Sequence, residues 1–344
     1  MIVSRLLSRS VHRVNHTIVC RPQSTSPPKM PPTFVLGTMG TSPSGGSTSL
    51  SSPSQMNTLL TLASSHGLCN LDTAHAYTSG NCEVLIGSSP AAASFSIGTK
   101  APAFAPGSLA HDTILSSCAA SLAALQTEQV DVYYLHGPDA KTPHAEKCDA
   151  MNALFSRGKF RRWGVSNVSV AEVREMHAYC VERGYEPPRV YQGVYNPLHR
   201  SVEMELLPML RELGMVFYAY SPLAGGVFAK PVDRILNPEE GERFSVMSVF
   251  GNIYLKHPRA VEGLRELAEV CESRGVGTLE ATIRWFRWHC KLGEGDGVII
   301  GASKPEQLAQ SLAFVDGEKL DDELVQAFEK LWDTVKDGNP AFSY

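Results

Sequence analysis

Residues 130–167 read VDVYYLHGPDAKTPHAEKCDAMNALFSRGKFRRWGVSN. The segment opens on an apolar, β-branched and aromatic run, VDVYYLHGP (130–138), and closes on a second, RRWGVSN (161–167). Between them, 144–157 places apolar residues at helical spacing. Runs this continuously apolar suit strands covered on both faces, and the strand–helix–strand order suits a parallel sheet.

The same alternation extends in both directions. FVLGTMG (34–40), LCNLDTAH (68–75) and SFSIGTK (94–100) precede the segment, and VYQGVYN (190–196), MVFYAYSP (215–222) and GVIIGAS (297–303) follow it, which makes eight runs. Amphipathic segments at 108–126, 169–183, 203–213 and 304–314 stand between or beside them, with Ser169 as an N-cap of the second. Eight such units close into a barrel more readily than they lie in an open sheet, and TMGTSPSGG after the first run lacks the GxGxxG fingerprint of an open dinucleotide-binding sheet. The sequence therefore predicts an α/β fold, one (β/α)8 TIM barrel over residues 30–344. Two stretches break the rhythm. Residues 41–55, rich in Ser, Gly and Pro, read as a flexible insertion. About seventy residues separate the seventh run from the eighth, a long loop followed by helices near 258–274 and 277–291. Both insertions follow strands, so both sit at the carboxyl face, where barrel active sites lie.

Reactive side chains in barrels come from strand ends. The second run ends in Asp72 and leads into Tyr77, the third ends in Lys100, and the fourth in His136. The fifth supplies Ser166 and Asn167, the sixth Gln192, the seventh Tyr220 and Ser221, and the eighth Ser303 and Lys304. A phenol with a free pKa near 10 needs its anion stabilised to donate a proton at neutral pH, and a nearby ammonium such as Lys100 does that. A lysine facing into a barrel is costly unless paired, and Asp72 on the neighbouring strand can pair it. His136 would then orient a substrate carbonyl and donate to its developing oxyanion. Taken singly, Asp72 reads as a helix cap, Tyr77 as a rim aromatic and His136 as a core histidine. Set together in order at one face, they suit carbonyl reduction by hydride.

At these residues the chain resembles the aldo-keto reductases. LDTAHAYTSGNCEVLIG looks like the family's signature with Asp and Tyr five residues apart, and IGTK, YLHGPD, WGVSN, YQGVYN and AYSPLAGG resemble its later strand ends in order. The resemblance covers roughly 34–315 and lies nearest the aflatoxin-aldehyde (succinic semialdehyde) reductase branch. It implies a tetrad of Asp72, Tyr77, Lys100 and His136, with Asp72 also beside the cofactor. Ser166, Asn167 and Gln192 would hold a nicotinamide carboxamide, and Tyr220 would stack on the ring. Ser221, Pro222, Leu223, Ala224, Gly225, Gly226 and Val227, in the stretch that runs on to Ala229, would line the pyrophosphate, and Arg243 would reach the cofactor. Ser303, Lys304, Gln307 and Gln310 match the segment that grips the adenosine 2′-phosphate, which favours NADPH over NADH. His136 and Tyr254 would face the substrate. Three positions depart from the branch: Ser311 replaces Asn, His257 replaces Arg, and the terminal FSY lacks an Arg. Relatives pair acidic substrates with such arginines, so uncharged carbonyls are the expected preference here. Relatives in the resembling branch are often homodimers, though the sequence does not fix the oligomeric state here.

Composition narrows the partners. A net charge of −4 and a pI near 6.3 offer no basic field for nucleic acid or anionic lipid, and no apolar run is long enough for a membrane span. Eight cysteines without a CxxC pair suggest neither zinc nor a redox dithiol, and read as reduced thiols. Residues 1–29 carry four arginines, a lysine and no acid, and Ile2, Val3, Leu6, Leu7, Val11 and Val14 could line one helix face. They read as a targeting presequence, or else as a disordered basic tail before Met30, and leave a mitochondrial or a cytoplasmic location open. Two other classes stand beside the reductase. One is a cofactor-binding barrel acting as the regulatory subunit of a partner, as in channel β subunits. The other is a barrel with a metal or phosphate site, against which the scarcity of clustered His and carboxylates at strand ends counts.

Overall fold

The computed structural model of the chain describes residues 30–39, 51–239, 259–302 and 304–338. Residues 1–29 and the expected site residues Arg243, Tyr254, His257 and Ser303 lie outside the described residues.

Strands β1 (Thr33–Gly37), β2 (Asn70–Asp72), β3 (Ser96–Ala101), β4 (Val130–Leu135), β5 (Phe160–Ser166), β6 (Val190–Val194), β7 (Val216–Tyr220) and β8 (Gly297–Gly301) pair in parallel in sequence order. β1 pairs with both β2 and β8, which closes the barrel. Each expected run holds its strand to within one residue at the ends. Most runs overshoot at their carboxyl ends, where the chain leaves the ladder to form the upper loops, and those at 68–75, 94–100 and 215–222 also begin one or two residues early.

Around the barrel lie α1 (Pro53–Ser65), α2 (Asn81–Gly87), α3 (His111–Ala124), α4 (His144–Ser156), α5 (Val170–Arg183), α6 (Leu206–Glu212), α7 (Val232–Leu236), α8 (Ala260–Ser273), α9 (Thr278–Trp288), α10 (Pro305–Leu312) and α11 (Asp322–Val335). Ser169 caps α5 as expected, accepting from Glu172 N while the Glu172 carboxylate accepts from Ser169 N at 2.8 Å. Three helices depart from the sequence reading: α7, a short helix inside the stretch read as a long loop, and α1 and α11. α1 begins inside the stretch read as a flexible insertion. There Ser52 and Gln55 form a reciprocal capping box and Pro53 holds the first turn, so these Ser and Pro residues start a helix. α11 was not anticipated beyond the eighth unit. It buries Leu324, Phe328, Leu331 and Val335 along one face against α8.

Strand residues alternate between two apolar layers. Val35, Val132, Tyr134, Val190, Tyr218 and Ile299 fill the bore, while Leu36, Tyr133, Val165, Tyr191, Phe217 and Val298 join the larger layer under the helices. Among the described residues no helix is long and apolar enough to cross a membrane.

The Tyr134 ring in the bore lies against Gly164 of β5. A Cβ there would approach the Tyr134 ring and the Val190 carbonyl oxygen to 2.6 Å each, closer than real carbons come. Gly164→Ala should therefore destabilise the fold by about 1–3 kcal/mol through overpacking, read from urea unfolding. A loss under about 0.5 kcal/mol would mean that the bore has slack it does not show.

Candidate active site

The carboxyl ends of β2, β3 and β6 meet around one ion pair. In the β2–β3 register Asp72 lies opposite Gly98, so Lys100, two residues on, points from the same face one step higher. Lys100 is fully buried; its Nζ donates to Asp72 Oδ2 at 2.6 Å and to the Thr73 carbonyl at 2.7 Å. Gln192 Nε2 donates to the other carboxylate oxygen, Oδ1, at 2.7 Å. The ammonium also sits 5.6 Å from the Tyr134 ring centroid and 5.2 Å from that of Tyr77.

Tyr77 stands in the loop after β2, partly buried, with His136 edge-on at 5.9 Å between ring centroids. On the other side of His136 lies Phe104, 5.7 Å away, again edge-on. Phe104 is 52 % exposed, holds a left-handed φ of 69°, and donates its backbone N–H to the Pro138 carbonyl at 3.2 Å. An exposed aromatic thus stands in a costly backbone conformation beside His136. The sequence reading did not single it out. Its one signal is a lone aromatic among Ala and Pro in KAPAFAP, just after Lys100.

The other strand ends form a polar arc. Asn167, at φ 60°, donates from Nδ2 to the His136 carbonyl at 3.2 Å and to Ser166 Oγ at 3.0 Å, and its Oδ1 accepts from the Tyr220 hydroxyl at 2.8 Å. The register sets Ser166 beside Gln192. Just past β7, Ser221 (φ 52°), Ala224 (φ 48°), Gly225 (φ 70°) and Gly226 (φ 111°) are all left-handed, with Pro222, Leu223 and Val227 between and after them. Such turns gather backbone N–H groups into concave, anion-binding nests. Lys304 at the N-cap of α10 and Gln307 and Gln310 along it lie exposed, whereas Ser311 is buried and donates to the Gln307 carbonyl at 3.2 Å. An open cavity lined by Ser96, Leu125, Val130, Asp131 and Arg161 lies at the amino ends of β3 to β5, the opposite face from Tyr77.

The electrostatics differ from the sequence reading in one respect. The ammonium was expected to draw the tyrosine down; instead burial, joined by the Asp72 charge, pushes the Tyr77 phenol well above its ordinary value. Burial is the larger cause, since a phenolate is poorly solvated there, and the nearby Asp72 charge adds to it. Burial also lowers Lys100, against the upward pull of Asp72. His136 is lowered to about 3 by burial and by the Lys100 charge, so its imidazole is neutral at physiological pH.

The structure thus brings Asp72, Tyr77, Lys100 and His136 together, with Ser166, Asn167, Gln192 and Tyr220 beside them. The turn Ser221–Val227 and the start of α10 complete the described part of that face. Comparison with known proteins agrees in kind. The sequence model of the aldo/keto reductase family matches residues 34–333. The oxidoreductase sirO of Leptosphaeria maculans is 38% identical over 276 residues, 79% of this chain and 84% of that protein. Aflatoxin B1 aldehyde reductase member 2 of Rattus norvegicus is 37% identical, covering 78% of this chain and 77% of its own length. Aflatoxin B1 aldehyde reductase member 4 of Homo sapiens is 35% identical, covering 77% and 85%.

The neutral His136 has a consequence for stability. With a folded pKa of about 3 against an ordinary 6.5, the folded state binds fewer protons than the unfolded chain anywhere between those values. The stability this contributes is complete above pH 6.5 and is lost as pH falls toward 3. His136→Gln should therefore flatten the fall of Tm on acidification through that window. A slope remains from His199, lowered to about 4 by burial. Tm–pH curves of the same steepness for variant and parent would contradict the assignment.

Proposed function

The chain belongs to the aldo/keto reductase family, and on that premise we propose that it reduces aldehydes, dicarbonyls or ketones to alcohols with NADPH, Tyr77 giving the proton. Family membership makes it an oxidoreductase of carbonyl compounds. The observation that carries the finer reading is the buried Lys100–Asp72 pair beneath the Tyr77 ring.

The cofactor fits the donors present. A primary carboxamide needs both a donor and an acceptor, and Ser166, Asn167 and Gln192 offer both. Tyr220 offers a ring face, and the left-handed turn Ser221–Val227 offers backbone N–H groups to a pyrophosphate. Lys304, Gln307 and Gln310 at the opening of α10, with Ser303 and Arg243 from the sequence, suit a 2′-phosphate. When bound, the reduced nicotinamide supplies the hydride.

The chain's own residues handle the proton. Tyr77, held protonated by burial, has a proton to give at neutral pH. It donates to the carbonyl oxygen, and the ammonium 5.2 Å below its ring stabilises the phenolate left behind. Asp72 and the Thr73 carbonyl keep that ammonium in place. The neutral His136 donates a hydrogen bond to the same carbonyl oxygen and fixes its direction. Phe104, at the rim, shields the pocket from water and favours an apolar substituent on the carbonyl. Activity on aldehydes is also what the printed names of the rat and human relatives describe for those proteins.

Tyr77→Phe tests the acid. Turnover should drop about 100- to 10,000-fold while NADPH affinity stays nearly unchanged. A variant within about threefold of the parent would remove Tyr77 from the role. Specificity supplies a second test. Because His257 and the terminal FSY stand where the resembling branch has arginines, an uncharged aldehyde should show a higher kcat/KM than succinic semialdehyde of similar length at pH 8. The missing charge-assisted contact costs about 1.5–3 kcal/mol, so roughly tenfold or more separates the two. A preference for the acidic aldehyde that persists at pH 8 would mean that another cation completes the pocket.

A further inference from the structure

Glu83 of α2 is a carboxylate with no solvent exposure. Burying a charge costs several kcal/mol unless it is well partnered, so its contacts should explain it. Its Oε1 accepts from the Thr99 hydroxyl at 2.5 Å, and its Oε2 lies 3.4 Å from His75 Nδ1. Both partners flank the reacting residues: Thr99 immediately precedes Lys100 on β3, and His75 lies two residues before Tyr77. The other titratable groups that feel this carboxylate are Lys100, Cys118 of α3 and Tyr133 of β4.

The segment between His75 and Glu83 needs such an anchor. After Tyr77 the chain passes through Thr78 (φ 49°), Ser79 (φ 55°) and Gly80 (φ 88°), three successive left-handed residues, two of them with a Cβ. Each non-glycine residue there costs of order 1–3 kcal/mol and persists only where the surroundings over-determine it. Cys82 ties the same helix to Thr38 and Thr73 at 3.3 and 3.4 Å, which fixes it to the ends of β1 and β2. Glu83 supplies the side-chain tie to β3, the strand of the ammonium.

We propose that Glu83 is a positioning residue for the reduction, pinning the strained loop that carries Tyr77 to the strand that carries Lys100 so that the phenol stays over the ammonium. The proposal rests on the reading of Tyr77 as the acid. Glu83 acts through geometry: it touches neither Tyr77 nor the carbonyl, and what it sets is the separation of two groups whose misplacement by about 1 Å can cost about 100-fold in rate.

The test uses the full chain and four single variants, Glu83→Ala, Glu83→Gln, Thr99→Val and Tyr77→Phe, with Tyr77→Phe/Glu83→Ala. Steady-state kinetics on one aldehyde are paired with NADPH titration by fluorescence. Glu83→Ala and Thr99→Val should each lower kcat by about tenfold or more with the NADPH Kd within about twofold of the parent. Glu83→Gln keeps an acceptor for Thr99 and should recover to within about threefold of the parent, whereas a purely structural loss of charge would not be rescued. In the Tyr77→Phe background, Glu83→Ala should cost less than about twofold, because groups that act as a unit are not additive. If Glu83→Ala does not fold, the near-isosteric Thr99→Val carries the kcat test alone. Parental kcat in Glu83→Ala and Thr99→Val, no rescue by Gln, or an undiminished cost in the Tyr77→Phe background each overturns the proposal. A slow Tyr77→Phe beside a fast Glu83→Ala overturns the positioning role alone. A Tyr77→Phe with parental kcat overturns the reading of the acid and this proposal with it.

Discussion

A lysine ammonium sealed inside a barrel constrains everything around it. Lys100 has no solvent, so its charge must be answered by protein, and Asp72 at 2.6 Å and the Thr73 carbonyl at 2.7 Å answer it. Asp72 in turn is oriented by Gln192 from across the bore. Deleting one partner of such a pair leaves an uncompensated buried charge and costs about 3–5 kcal/mol, yet well-packed apolar residues would stabilise the fold as well or better. The pair is therefore not explained by stability. Its position explains it: Tyr134 lies at 5.6 Å and Tyr77 at 5.2 Å from the ammonium, and only Tyr77 belongs to the upper face where a substrate can arrive.

Burial and the nearest charge reinforce each other at this face, and the direction differs by residue. For Tyr77 burial and Asp72 act together and keep the proton on. For His136 burial and Lys100 act together and keep the proton off, which makes the imidazole a neutral director. The two rings, 5.9 Å apart between centroids, thus hold opposite proton affinities, the arrangement that the proposed division into acid and carbonyl director draws on. The polar arc from Ser166 through Asn167 to Tyr220 adds amide and hydroxyl groups without adding charge, so the ion pair sets the local field.

Much of this was legible from the chain because it follows from period and order. Strands such as VDVYYL and VYQGV, mostly apolar, announce a covered parallel sheet, and the polar residues toward the carboxyl end of each run mark the face where a barrel's site lies. Asp72, Lys100, His136 and Gln192 were found that way. What escaped the sequence depends on contacts that no local period encodes. Phe104 reaches His136 through a left-handed loop residue, and Glu83 reaches Thr99 from a helix read only as part of a signature. The capping box at Ser52 and Gln55 hid among Ser and Pro that ordinarily signal a loop. The direction of the Tyr77 shift escapes for a similar reason, since it follows from how deeply the folded chain buries the phenol.

The central claim is that this strand-end constellation moves hydride onto a carbonyl carbon. It is tested most directly with NADPH deuterated at the transferable C4 position, incubated with the full chain and an uncharged aldehyde, followed at 340 nm and by mass spectrometry of the product. One NADPH should be consumed per alcohol formed, with the deuterium on the former carbonyl carbon and an alcohol proton drawn from solvent. NADPH that binds tightly yet is not consumed with any aldehyde, dicarbonyl or ketone would contradict it, and would mark the barrel as one that holds the nucleotide without using it.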